Sequence, residues 1–207
     1  MSRTHGILGF LGILVAVSAP AIGQQPTPTM AETPAAPVTP AVAAAMPAGP
    51  ADGHTIHVTA PHVVAGKVMG PYHHYCKVLS PEPVIECLCY LSSDPNARLE
   101  QVEYILGKSI TRTGAVTLAN WNKNWHDHKQ EIATGRVQVL DMPPDKAKEV
   151  ADLVSTTDGI IFHLWPHDAK APSGNVIIAQ SVGHVNLNQA DFKKGAEERP
   201  PAPKSEK

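Results

Sequence analysis

The chain has 207 residues, including 20 proline, and 17 Lys and Arg against 19 Asp and Glu give a net charge of -2. That balance offers no basic face for DNA or RNA, and a charged fraction of 17% is too low for a coiled coil or a charge-driven disordered chain. No apolar run reaches the roughly 18–20 residues needed to span a bilayer.

In chain order, residues 1–23 read as a secretory signal. Arg3 supplies the positive start, Ile7 to Val17 an uncharged apolar core, and Ala21-Ile22-Gly23 the small residues before a cleavage point at Gln24. The expectation is an exported protein, periplasmic or secreted, with no transmembrane segment in the mature chain. Residues 24–52 read as a Pro/Ala-rich linker. Positions 26–50 hold seven Pro and eight Ala, with Glu32 the only charge. Proline at that density blocks helix and favours extended polyproline geometry. Residues 53–194 then form one domain, and 195–207 a disordered charged tail.

Within the domain, Val84 to Leu91 is rich in strand formers and places Ile85, Cys87, Cys89 and Leu91 on one face. Asp94-Pro95 reads as a helix start. Leu99, Val102, Ile105 and Leu106 follow at helical spacing, so a helix is predicted up to Gly107. Arg136 to Leu140 is a short strand, Pro143 to Val154 a second helix, and 159–165 and 175–182 further strands. Asp158-Gly159 is a turn signal. This order predicts an α+β fold, a single mixed α/β sandwich with two main helices packed on a mostly antiparallel sheet.

The mature chain keeps ten His, at 54, 57, 62, 73, 74, 126, 128, 163, 167 and 184. Imidazole, thiolate and carboxylate together suit zinc, copper and related ions. His74, Cys76, Glu103, His126 and His128 are the candidate ligand set, with a transition metal such as zinc as the candidate cofactor. His126-Asp127-His128 converges on one ion if it is a strand and splays if it is a helix; the spacing leaves both open. Glu103 is assigned to the helix after the Cys-bearing strand. No His-Glu-x-x-His, Cys-x-x-Cys, Gly-x-Ser-x-Gly or glycine-rich nucleotide loop occurs. The cysteines give a competing account. In an exported protein, Cys76 pairs with Cys87 or Cys89 across a hairpin at Ser80-Pro81-Glu82-Pro83, which removes Cys76 from any ligand set. Leu118, Trp121 and Trp125 lie at near-helical spacing and read as packing.

The segments His73-His74-Tyr75-Cys76, Ala97 to Ile105, Trp125-His126-Asp127-His128 and Glu131 to Arg136 resemble the oil body-associated protein family, whose domain is known as DUF1264. The similarity covers about residues 56–182. Plant members are associated with seed oil bodies, which implies a lipid or apolar small molecule as a partner. The resemblance implies no catalytic residue. This chain departs from the plant pattern in its signal, its spacer and the additional Cys89.

The sequence thus predicts an exported, non-catalytic domain that binds a metal ion or an apolar, lipid-like ligand in the cell envelope. One alternative is a metal-dependent enzyme in which a cluster residue or Asp127 acts as general base toward metal-bound water. Another is an interaction module with no small ligand.

Overall fold

The computed structural model describes residues 49–50 and 52–202. The segments expected to be a signal (1–23) and most of a linker (24–48 and 51), and the end of the expected tail (203–207), lie outside the described residues.

Eight strands form one continuous antiparallel sheet: β1 (Ile56–Val64), β2 (Lys67–Ser80), β3 (Val84–Tyr90), β4 (Leu99–Gly107), β5 (His126–Asp127), β6 (Gln138–Leu140), β7 (Thr157–His163) and β8 (Ile177–Ser181). Among the described residues, five short α-helices accompany them, α1 (Lys108–Ile110), α2 (Leu118–Asn124), α3 (His128–Ala133), α4 (Pro144–Val154) and α5 (Gln189–Gly195), and a π-helical turn, Thr111–Ala115, follows α1. The neighbours run β2-β3-β4-β7-β8-β1, and β1 pairs back onto β2. Six strands therefore close on themselves. The fold is an antiparallel β-barrel with two added strands and a few short helices, not the helices-on-sheet sandwich expected from periodicity.

The error has a definite origin in β4. Its apolar residues imitate a helical repeat, but Glu100, Gln101, Glu103, Ile105 and Gly107 are buried, and Gln101, Glu103 and Ile105 alternate on the barrel's inner face. Two polar side chains on an inner face break the apolar/polar alternation by which a strand is recognised. Glu103 accordingly stands on a strand, directly opposite Cys87 of β3 and Ile161 of β7.

The other inner faces obey period two. They carry Val58, Ala60, His62 and Val64 from β1, then Tyr72, His74 and Cys76 from β2. β3 adds Ile85, Cys87 and Cys89. The β1–β2 register shifts between Ala60 and His62. Pro61 sits at that irregularity, where its missing N–H costs no ladder bond. Cys76 and Cys87 are register partners and are joined by a disulfide, while Cys89 is a free, buried thiol.

The seam between β1 and β7 sets up the interior. At one end β8 bridges it, pairing with His62 and Val63 of β1 and with residues 161–163 of β7. Toward the other end β8 is replaced by β5 on β7 and by β6 on β1. The chain between β5 and β6 is α3, which packs on β7 and α4. That arrangement turns α3 residues toward the barrel axis. A second apolar cluster of Val116, Trp121, Trp125 and Phe192 joins α2 to α5, so both tryptophans are packing residues.

Candidate metal centre

Four histidines and two glutamates meet inside the barrel: His62 (β1), His74 (β2), Glu103 (β4), His126 (β5), and His128 and Glu131 (α3). All are buried. Glu103 Oε1 lies 3.1 Å from His126 Nε2 and 3.2 Å from His128 Nε2, and these two nitrogens are 3.3 Å apart. Glu103 Oε2 lies 3.3 Å from His74 Nε2, which is 3.2 Å from His62 Nε2. Glu131 Oε2 is 3.6 Å from His126 Nε2. Among the described residues, two triads bring one donor atom each within metal-sharing distance: His62, His74 and Glu103, and Glu103, His126 and His128.

The far sides of the rings fix their tautomers. His74 Nδ1 faces the Tyr72 carbonyl at 3.0 Å, so that nitrogen carries a proton and donates it. His62 Nδ1 faces Gln101 Oε1 at 2.6 Å, and Gln101 Nε2 lies 3.1 Å from His163 Nδ1. His128 Nδ1 faces Thr157 Oγ1 at 3.0 Å, while that hydroxyl donates to the Val154 carbonyl at 2.6 Å. Thr157 must therefore accept from His128. In a neutral ring tied this way Nε2 is a lone pair open to a cation, and in a protonated ring the same Nε2 donates to the Glu103 carboxylate. Imidazoles tied at one nitrogen and open at the other are the usual arrangement behind a metal ion. His126 Nδ1 is buried without a partner.

Electrostatics follow the same geometry. Burial alone would raise the Glu103 carboxyl, but hydrogen bonds from His126, His128 and His74 hold it well below the usual carboxylate range. Burial, followed by the neighbouring His74, drives His62 down to about 3. Burial pushes the Glu131 carboxyl up.

The cluster lines a cavity of about 30 Å³. Ile132, Val137, Val139, Val150, Leu153 and Val154, from α3, β6, α4 and the turn before β6, wall it on the apolar side. Gly159 of β7 makes the convergence feasible. A Cβ there would collide with Glu103 Oε1 and His126 Nε2, so a strand position is left bare where two ligand side chains must pass. The Asp158-Gly159 turn expected from sequence is thus a strand segment.

Of the candidate set, His74, Glu103, His126 and His128 come together. Cys76 lines the same cavity, but its sulfur is bonded to Cys87. Asp127, the suggested general base, points the other way, 2.8 Å from Lys108 Nζ and 2.9 Å from Arg112 Nη2. His126 belongs to a strand and His128 opens a helix, so neither simple geometry for His-x-His applies. His62 and Glu131 were missed. His62 was visible as the one imidazole in the Val58, Ala60, Val64 alternation. Glu131 was visible as a carboxylate three residues after His128, one turn along a helix.

Comparison with known proteins fixes the family. A model described as "Protein of unknown function (DUF1264)" matches residues 49–201. The chain belongs to the DUF1264 family. Oil body-associated protein 1B of Arabidopsis thaliana is 30% identical over 132 residues, covering 59% of this chain and 53% of the relative. Oil body-associated protein 1A of Zea mays is 31% identical over 97 residues, covering 46% and 39% respectively. The chain thus spans about half the length, or less, of these curated relatives. No solved structure matches. The DUF1264 match contains every residue of the buried cluster. Among the described residues, no helix is long and apolar enough to cross a membrane.

Proposed function

We propose that this DUF1264 chain is an exported, non-catalytic barrel domain that holds a transition-metal ion such as zinc on Glu103, His126 and His128. The carrying observation is that two imidazole Nε2 atoms and a carboxylate oxygen converge within 3.3 Å of one another in a buried space. His128 Nε2 lies 3.2 Å from a carboxylate oxygen and 3.3 Å from another imidazole nitrogen, with its ring proton committed to Thr157. A divalent cation displaces the protons shared among these atoms and takes all three as ligands. The spacing suits one, because zinc ligands about 2.0–2.1 Å from the metal stand roughly 3.3–3.4 Å from each other in a tetrahedron.

The size of the cavity supports a holding role. About 30 Å³ admits a water or two, against roughly 300–1,000 Å³ for ordinary small-molecule sites. Neither a substrate nor an acyl chain fits beside the ion. The names of the plant relatives favour a second reading, contact between the outside of the barrel and a lipid surface, where Val68, Val176 and Val185 are exposed. Export is supported by the Cys76–Cys87 disulfide, since such bonds persist in oxidising compartments.

The deciding experiment is metal content by mass spectrometry on the full chain, purified from an oxidising compartment without a His tag. At least one equivalent of a transition metal is expected, falling in the His126→Ala/His128→Ala variant. A chain that carries no metal and takes up none from added Zn²⁺ overturns the reading. A thiol count on the same denatured sample should find Cys89 alone. Flotation with phospholipid-coated oil droplets tests the lipid surface separately.

A further inference from the structure

The site just described uses only half of the cluster. Glu103 has two carboxylate oxygens, and they face opposite pairs of imidazoles. Oε1 is turned to His126 and His128 at 3.1 and 3.2 Å, while Oε2 is turned to His74 at 3.3 Å. Beyond His74 stands His62, with the two Nε2 atoms 3.2 Å apart. Both rings spend their Nδ1 protons outward, His74 on the Tyr72 carbonyl and His62 on the Gln101 side chain, so two neutral rings would point bare lone pairs at each other.

From this geometry we infer that the barrel holds two metal ions, the second on His62, His74 and Glu103 Oε2, with Glu103 bridging the pair. The inference rests on the proposed metal-holding role and extends it from one ion to two. Paired metal sites place their ions about 3.5–4 Å apart, a separation that one carboxylate spans with an oxygen on each ion. The two triads share no other ligand, and each supplies two nitrogens and one oxygen. Their surroundings differ. The first has Glu131 Oε2 within 3.6 Å of His126 Nε2, whereas the second has Cys89 of β3 as the register partner of His74. Gln101 and His163 form a relay behind His62 of the kind that orients metal ligands.

The test is Zn²⁺ titration of the metal-stripped full chain against a chromophoric chelator, with stoichiometry checked by mass spectrometry. Two equivalents are expected for the wild type. His62→Ala/His74→Ala should retain one, His126→Ala/His128→Ala should also retain one, and Glu103→Gln should weaken both sites. A wild-type stoichiometry of one that survives His62→Ala/His74→Ala overturns the second site and leaves the first intact. A stoichiometry of zero overturns the first reading as well. Should the double variants fail to fold, judged by circular dichroism, wild-type protein loaded with Co²⁺ still decides the matter. Magnetic coupling between two ions supports the pair, and the spectrum of isolated Co²⁺ at saturation rejects it.

Discussion

Two polar clusters lie back to back in this molecule, separated by one short ladder, and they differ in how their charges are satisfied. In the β5–β7 pairing His126 stands opposite Gly159, and Asp127 opposite Asp158. Alternation sends His126, along with Thr157 and Gly159, to the barrel interior, and sends Asp127 and Asp158 to the other side. There, Arg112 reaches both Asp158 oxygens at 2.5 and 2.9 Å and Asp127 at 2.9 Å, over the rings of Trp121 and Phe192. Lys108, fully buried, meets Asp127 and Glu198 at 2.8 Å each. Each of these cations has a carboxylate partner, and Thr111 donates a further bond to Asp158. Inside the barrel four imidazoles and Glu131 crowd the buried Glu103 carboxylate, and among the described residues no Lys or Arg side chain lines that cavity. Burial and charge alone do not distinguish a structural ion network from a ligand site. The type of donor atom and its convergence with others do.

The largest effect should come from breaking the self-sufficient cluster. Arg112→Met leaves Asp158, which has no solvent exposure, with only the Thr111 hydroxyl. Removing one partner of a buried pair costs about 3–5 kcal/mol, to be read as lost stability in urea unfolding. Zn²⁺ uptake by the folded fraction should not change.

The interior cluster should behave in the opposite way, gaining stability from something added. With free Zn²⁺ held at 100 times the dissociation constant, one-site linkage adds about 2.7 kcal/mol. The wild type and Arg112→Met should both show this increment in their unfolding curves. His126→Ala/His128→Ala should lose the part that belongs to the first site. An increment that persists in full in that variant would place the ion elsewhere.

A subtler probe leaves every ligand in place. Gly159→Ala adds one methyl group where Glu103 and His126 already meet. Disturbing the shell behind metal ligands weakens binding by about 10–100-fold, and a chelator competition series should read that loss. If the affinity is unchanged, the ligands do not converge on the space beside Gly159.

These features were legible in the sequence to different degrees, for physical reasons. Strand β3 could be read because Ile85, Cys87 and Cys89 alternate cleanly against outward residues. Strand β4 could not, because the site itself puts Gln101 and Glu103 on the inner face. The residues that make the candidate function are those that hide its secondary structure. Closure of the barrel left no local trace, since it depends on β1 pairing with β2 at one edge and with β8, more than a hundred residues later, at the other. The clustering of His74, His126 and His128 was visible from residue type. Their partition into two triads was not, because it needs the two oxygens of Glu103 in three dimensions. Gly159 looked like a turn for a similar reason, as bare backbone signals a bend and a close approach alike.

The smallest predicted effect separates the clusters most cleanly. Glu198 pairs with Lys108 at 2.8 Å and with the exposed Lys129 at 2.9 Å. Partial burial works to raise its pKa, and the two lysines outweigh that and hold it below the ordinary value of 4.5. A carboxylate with a depressed folded pKa stabilises the fold above its unfolded pKa, and that contribution is lost as pH falls through the lower folded value. Glu198→Gln should therefore cost up to about 1 kcal/mol near neutral pH, the scale of a partly exposed ion pair. The wild-type and variant stability curves should converge as pH drops below 4.5 and through the lowered pKa. Lys108 keeps Asp127 in the variant, so the buried network survives. Zn²⁺ stoichiometry and affinity at neutral pH should match the wild type, because no side chain that Glu198 pairs with is itself an interior ligand. A change in Zn²⁺ uptake by Glu198→Gln would mean that the ladder between Asp127 and Asp158 transmits strain, and that the two clusters act as one.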